Sequence, residues 1–412
     1  MKTVIIGGGT IGLLSAYELR RRGREVVVID RGEFGAAASH GNAGWITPSL
    51  SGPVPAPGVV SESIKWMLKP DSPLFISPAA VPSMVGWLFS FWRHCNAKAY
   101  RAGFNALAEL NQRTMSDYEA LQAAGLDFGL HKNGLLFVSL DDKHLDELYA
   151  EFEDLAGYGL GEPIRFDRDA TLQREPSLRP VVAGSVLMPE ERHVEPDELN
   201  RAAVVWLRAH DVELRSGSSV TGFRVENETV KAVQTTSGDI DADQVLIATG
   251  AEAARLSRAL GAHVPMQAGK GYSITIDKPR LTVNGPMYMH EARVAVTPFD
   301  NALRIAGTME LSGVNTRLDG RRVRGLKNSA HRYMLDWEQG ERSEEWVGMR
   351  PILPDGLPVI GRLPRRSNAY IASGHAMLGI TLGPTTAAAV GELMNDEEST
   401  FNLAPYDPAR FS

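Results

Sequence analysis

The sequence predicts an α/β (α+β) chain in which a domain built on a parallel sheet is joined to one with an antiparallel sheet and flanking helices. Three observations carry that reading. Residues 3–30 run strand, glycine turn, helix, strand. Glycine-rich, ligand-like stretches recur far apart, at residues 7–47, around 245–250 and at 348–384. Between the last two, residues 272–309 are strand-rich, and alternation at 293–296 and 303–306 suggests an antiparallel sheet.

The first stretch is the most informative. TVIIGGGTIG places Gly7, Gly9 and Gly12 at G-x-G-x-x-G spacing between the strand at 3–6 and a helix, and a second strand, Glu25 to Ile29, ends in Asp30. Gly7 permits the tight turn, Gly9 lets backbone approach a pyrophosphate, and Gly12 allows helix to pack closely on strand. The helix N-terminus then faces the phosphates. Asp30 can accept hydrogen bonds from a ribose hydroxyl, and its charge repels a 2'-phosphate. The helix carries apolar Ile11, Leu14 and Leu19, and ends in Arg20, Arg21 and Arg22 before Gly23, an arrangement suited to its dipole and its termination. This is the opening unit of a Rossmann-type nucleotide-binding domain.

Composition narrows the function. With 412 residues the chain holds two domains or one elaborated domain. A formal net charge of −7 argues against nucleic acid as a principal partner. The single cysteine, Cys95, excludes an intrachain disulfide and a cysteine-based metal cluster, and points to a reducing, cytoplasmic setting. No spacing suits a metal, and no Ser/His/Asp arrangement stands out. The apolar run after Lys2 is the nucleotide-binding strand itself, so it is not read as a cleavable leader.

Along the chain, GAAASHGNAGWITP at 35–48 reads as a loop wrapping a ligand. Pro53, Pro55 and Pro57 mark an exposed crossover. Residues 59–100 concentrate Trp66, Met67, Phe75, Met84, Trp87, Phe89, Phe91 and Trp92. The run from Ala79 to Trp92 is too short to span a bilayer, so this stretch is either core or an interfacial membrane patch. Helices are expected at 105–124, with Gly125 as its cap, at 142–155, and from a cap at Asp197 to 209 after a crossover at 189–196. Strands are expected at 135–138, 220–225, 230–235, 244–248 and 369–372, and a last helix at 384–394. There is no internal repeat.

A nucleotide site interrupted by long insertions favours a cofactor larger than NAD, gripped at both ends, and FAD is the natural candidate. IGGGTIG, ASHGNAGWITPS, IKWMLKPDSPL, VLIATGAEA, GKGYSIT, GMRPILPDGLPVIG and GHAMLGITLGP together span nearly the whole chain. On these motifs the sequence resembles the flavin-dependent D-amino acid oxidase superfamily, and more closely the bacterial D-amino acid dehydrogenase small-subunit family. The resemblance implies an FAD-binding domain assembled from residues 1–52, 189–262 and 344–412, and a substrate domain from 53–188 and 263–343. It implies noncovalent FAD with Gly7, Gly9, Gly12, Asp30 and Arg31 at the adenosine and pyrophosphate. Ser39, His40, Asn42, Ala43 and Gly44 would lie near the flavin, Val220 near adenine, and Thr249 and Gly250 along the diphosphate. Gly348, Arg350, Gly374, His375, Leu378, Gly379, Ile380 and Thr381 would run along the isoalloxazine.

By the same resemblance the reaction is hydride transfer from the Cα of a free D-amino or imino acid to flavin N5, which needs positioning more than a protein base. Arg350 would clamp the substrate carboxylate with its planar fork, and Tyr288, His290 and Arg293 would face the substrate. Electrons would pass to a quinone or another acceptor, with a peripheral contact at the inner face of the cell membrane as a companion expectation. Where some relatives carry an arginine, this chain has Ala376 and Met377, an apolar wall. Two alternatives stay open: an oxidase of glycine, sarcosine or D-amino acids that makes peroxide, and a flavin-bearing electron-transfer subunit.

Overall fold

A computed structural model describes residues 1–61, 63 and 74–412. Residues 64–73, which hold most of the IKWMLKPDSPL motif with Trp66 and Met67, lie outside the described residues. A six-stranded sheet runs in the order Val359–Arg362, Ala369–Ser373, Gln244–Ile247, Lys2–Ile6, Glu25–Ile29, Glu213–Arg215, parallel except for its first member. Its strands are continuous apolar runs, as strands covered on both faces must be. Thr10–Arg21 packs on one face between Gly383–Met394 and Pro196–Ala209, burying Leu13, Leu14, Leu207 and Val390. Gly12 makes this packing possible, because a Cβ there would collide with the Gly7 carbonyl. The helix Ala253–Ala259 covers the other face, and Val230, Val233 and Ile240 of the three-stranded meander pack into the same core.

The second sheet has nine strands. Arg342–Ile352 pairs along its full length with Gln267–Asp277, and the sheet continues through Ala302–Leu311, Val294–Phe299, Met287–Met289, Leu135–Ser139, Gly184–Met188 and Ile164–Asp167. Leu74–Ile76 adds a short parallel strand against Met309–Leu311. The helix Gly320–Tyr333 seals one face with Val323, Leu326 and Tyr333 against Ile274 and Ile305. Because Arg342–Ile352 is a strand of this sheet, the expected boundary at 343/344 falls inside a strand.

Several local expectations are corrected. The single helix at 105–124 is two, Ala97–Asn111 and Thr114–Ala123. At the break the Asn111 amide donates to the Leu107 carbonyl and accepts from the Thr114 hydroxyl, so side chains compete with the ladder there. Asp197 does not cap its helix; Glu195 is at the cap position without a side-chain bond, and Asp197 is drawn to His40 at 2.8 Å. The crossover at 189–196 contains a two-residue strand, Arg192–His193, paired with Trp45–Ile46. The loop after Thr235 becomes a strand, Gly238–Asp241, that completes the meander.

Candidate active site

A cavity of about 710 Å³ lies at the C-terminal ends of the parallel strands, where their loops meet the second sheet. This is where ligands bind in open α/β sheets, and the volume is within the usual range of about 300–1,000 Å³ for small-molecule sites. Asp30 lines one end. Its two carboxylate oxygens accept from the amides of Gly8 at 2.7 Å and Gly32 at 2.8 Å, which fixes the carboxylate at the strand end with lone pairs to spare. Arg31 reaches across to Glu252 at 3.2 Å, and both lie on the wall. Gly7, Gly9, Val220, Thr249 and Gly250 line the same end. Gly9 leaves room beside Ser39, whose hydroxyl accepts from the Thr10 amide at 3.2 Å. The Thr249 hydroxyl is buried without a hydrogen-bond partner among the described residues. A ligand with phosphate or ribose oxygens would satisfy it, so the residues present fit a dinucleotide.

At the other end the cavity is walled by Trp346, Gly348, His375, Ala376, Gly379 and Ile380. His375 bridges to Ile352 and meets the Thr386 hydroxyl through Nε2 at 3.0 Å. Burial pulls its pKa to about 3, so it is neutral in ordinary buffers. Gly374 makes the turn into this segment and Leu378 is core. Thr381 braces the site from behind: its hydroxyl donates to the Trp45 carbonyl and accepts from the Thr47 amide.

The loop carrying Ser39, His40, Asn42, Ala43 and Gly44 is held by polar contacts as well as by the Trp346 and Phe299 rings against Gly41 and Gly44. Asn42 is on the cavity wall and accepts from the Gly44 amide at 2.8 Å. The Ala43 carbonyl accepts from Thr297 at 2.7 Å. The His40 imidazole is engaged on both nitrogens, by Asp197 at 2.8 Å and Glu344 at 3.2 Å, and the Asp197 hydrogen bond above all raises its pKa. Arg304, almost fully buried, donates to the carbonyls of His40 and Asn42 at 2.7 and 2.8 Å.

Arg350 is half-buried, with its guanidinium deep enough that burial lowers its pKa to about 10. It donates through Nη1 to the Thr308 carbonyl at 2.6 Å. Among the described residues no carboxylate pairs with it, and Tyr288 is the group that acts on it electrostatically. Tyr288 is fixed by edge contacts with Trp45 and Phe137, each with ring centroids 5.8 Å apart. His290 is also near the Tyr288 ring, but burial and then Arg293 hold its pKa down at about 4. Arg293 is exposed, and its charge partly opposes the burial that raises the Glu151 pKa. The structure therefore brings Tyr288 to Arg350 and leaves Arg293 at the surface.

Sequence reasoning missed Trp346 and Arg304. Trp346 lies so close over Gly41 and Gly348 that neither position has room for a Cβ. It precedes Arg350 by four residues in a strand, the spacing that puts both on one face, and that alternation was the available signal.

A parallel sheet with a cavity at the C-terminal ends of its strands, bounded on the far side by Trp346, Gly348 and Met349 of a second, mainly antiparallel sheet, has the architecture of a dinucleotide-dependent oxidoreductase. The chain belongs to the FAD dependent oxidoreductase family, whose model matches residues 2–393. It is 31% identical to a D-amino acid dehydrogenase of Cereibacter sphaeroides over 100% of this chain and 96% of that one. A D-amino acid dehydrogenase of Vibrio cholerae is 29% identical over 100% and 99%. Among solved structures, glycine oxidase from Geobacillus kaustophilus superposes with a TM-score of 0.78 at 25% identity, covering 99% of this chain and 98% of that one. L-proline dehydrogenase from P. horikoshii has the same fold, with a TM-score of 0.76 at 20% identity over 100% and 97%.

Proposed function

We propose that this enzyme dehydrogenates a free amino acid, a D-amino or imino acid, and that Arg350 holds the substrate carboxylate. The observation that carries the reading is a deep guanidinium with one backbone acceptor and, among the described residues, no carboxylate of its own. A buried cation is costly until paired, and an amino acid brings the missing anion in a geometry that matches the planar fork. FAD, when bound, supplies the hydride acceptor for the substrate Cα, and water converts an open-chain imine to oxo acid and ammonia. The chain's own part is to orient the substrate by Arg350, with Tyr288 beside it, to wall the site with Trp346 and Ala376, and to exclude water. With its low pKa, His375 is a brace for the cofactor segment and not a base.

The names of the curated relatives support the dehydrogenase branch, and the proposal adds that electrons pass to a quinone or another acceptor. A peripheral membrane contact has its own support: Val85, Phe89 and Trp92 are 59%, 58% and 58% exposed on one helix. Among the described residues no helix is long and apolar enough to cross a membrane.

The deciding experiment is anaerobic mixing of the flavin-loaded protein with D- and L-amino acids, proline, glycine, sarcosine and a decarboxylated amine. The proposal expects the flavin to bleach fast with one of the carboxylate-bearing compounds and slowly with the amine. Equal rates with acid and amine would remove the carboxylate clamp, and no bleaching by any of them would leave an electron-transfer subunit. In a parallel assay in air-saturated buffer, peroxide formed as fast as a dye is reduced would make the protein an oxidase.

A further inference from the structure

We infer that Gly271 and Thr308 form a seat that aims the Arg350 guanidinium, so that Gly271 is a positioning residue for the carboxylate clamp. The inference rests on the reading of Arg350 just given. On the strand Gln267–Asp277, Gly269, Gly271 and Ser273 share one face, and they lie opposite Arg350, Gly348 and Trp346 of Arg342–Ile352. That patch of sheet is stripped of side chains by three glycines. Trp346 lies flat over Gly348, and Arg350 lies flat over Gly271. A Cβ at position 271 would overlap the guanidinium carbon and stand 2.6 Å from Nη1.

The third strand supplies the other half of the seat. Lys270 pairs with Glu310 and Tyr272 with Gly307, so Thr308 and Met309 together oppose Gly271 in a bulge. Thr308 has φ +65, a conformation that a β-branched residue adopts only under constraint. The bulge turns its carbonyl out of the ladder and onto Arg350 Nη1. Both flanks of the glycine are pinned on the opposite face. Lys270, 2% exposed, donates to Glu310, Asn315 and the Arg317 carbonyl, and Tyr272 donates to Glu310 at 2.6 Å. The GKGY motif thus reads as two anchors around a bare spot: Lys270 and Tyr272 fix the strand, and Gly271 leaves the space that the guanidinium fills.

The test is kinetic. Gly271→Ala should bind FAD with an unchanged spectrum, raise KM for the amino acid by about 100-fold through displacement of the guanidinium, and leave turnover of the decarboxylated amine unaltered. Added to Arg350→Ala it should have no further effect, because the group it displaces is gone. If Gly271→Ala does not fold, the Gly271→Ala/Arg350→Ala protein should fold as well as Arg350→Ala does, and a double variant that also fails overturns the inference. A normal KM in Gly271→Ala alongside a large loss in Arg350→Ala overturns the seat alone. A normal KM in Arg350→Ala removes the clamp and the seat with it.

Discussion

Arg350 stays charged well below about pH 10, because even after burial its pKa is about 10, so in the proposed role as carboxylate clamp it does not switch substrate capture near neutral pH. Losing a buried charge partner typically costs about 3–5 kcal/mol, which is about two to four powers of ten in kcat/KM. Arg350→Ala should lose that much while keeping a normal flavin spectrum, and Arg350→Lys should recover part of it, since a point charge lacks the bidentate fork. A second residue sets a pH dependence. Glu191 is fully buried, accepts from the Ser49 amide at 3.0 Å through one oxygen and has no partner on the other among the described residues. Burial pushes its pKa up to about 8. Between the ordinary carboxylate value and about 8 the unfolded chain has released a proton that the folded chain keeps, so stability falls as pH rises across that window. Glu191→Gln, which cannot ionise, should melt like the parent near pH 4.5 and increasingly above it toward pH 8. Parallel melting curves for the two proteins at all pH values would show that Glu191 is not held neutral.

The helix Val81–His94 shows what one element can do with two faces. Met84 and Trp87 pack against Leu311 and Ile352, next to the strands that carry Arg350, while Val85, Phe89 and Trp92 face outward. Arg93, Lys98 and Arg101 are exposed nearby, and aromatic rings flanked by cations suit a lipid headgroup region. Trp87→Ala should cost about 3–5 kcal/mol by leaving a cavity. Phe89→Ser/Trp92→Ser should change stability by less than about 1 kcal/mol yet abolish co-sedimentation with anionic liposomes. If the parent protein does not sediment with those liposomes, the outward face has another role. The aromatic stretch was visible in the sequence, but its division between core and surface was not. The two faces separate only once the helix phase and the neighbouring sheet are known. The break at Gln112 was hidden for a related reason: the Asn111 and Thr114 side chains that make it are buried, and their hydrogen bonds show only once their rotamers are seen.

At the scale of the whole molecule, what could be read from the sequence was what is local. The βαβ unit with Gly7, Gly9, Gly12 and Asp30 is contiguous, and each residue's place follows from its neighbours. Arg350 entered through resemblance alone, because its isolation and its seat depend on pairing strands that are about eighty residues apart in the chain. Arg304 was missed for the same reason, whereas the local alternation that places Trp346 on the Arg350 face was there to be read. The cavity itself joins the three distant glycine-rich stretches, and this has a thermodynamic consequence: a ligand that touches all three couples their folding. FAD at a hundred times its Kd should add about 2.7 kcal/mol, so stripping it should lower the melting temperature and broaden the transition, and adding it back should restore both. The same experiment bears on attachment. His40 is engaged by Asp197 and Glu344, and Cys95, just past the end of the helix Val81–His94, turns its thiol to the Phe91 carbonyl and is not on the cavity wall, so neither is poised to bond a flavin. Acid precipitation should therefore release all the yellow colour to the supernatant. Flavin that stays with the pellet through washing would mean a covalent link, and the recovery of stability on adding free FAD would then fail as well.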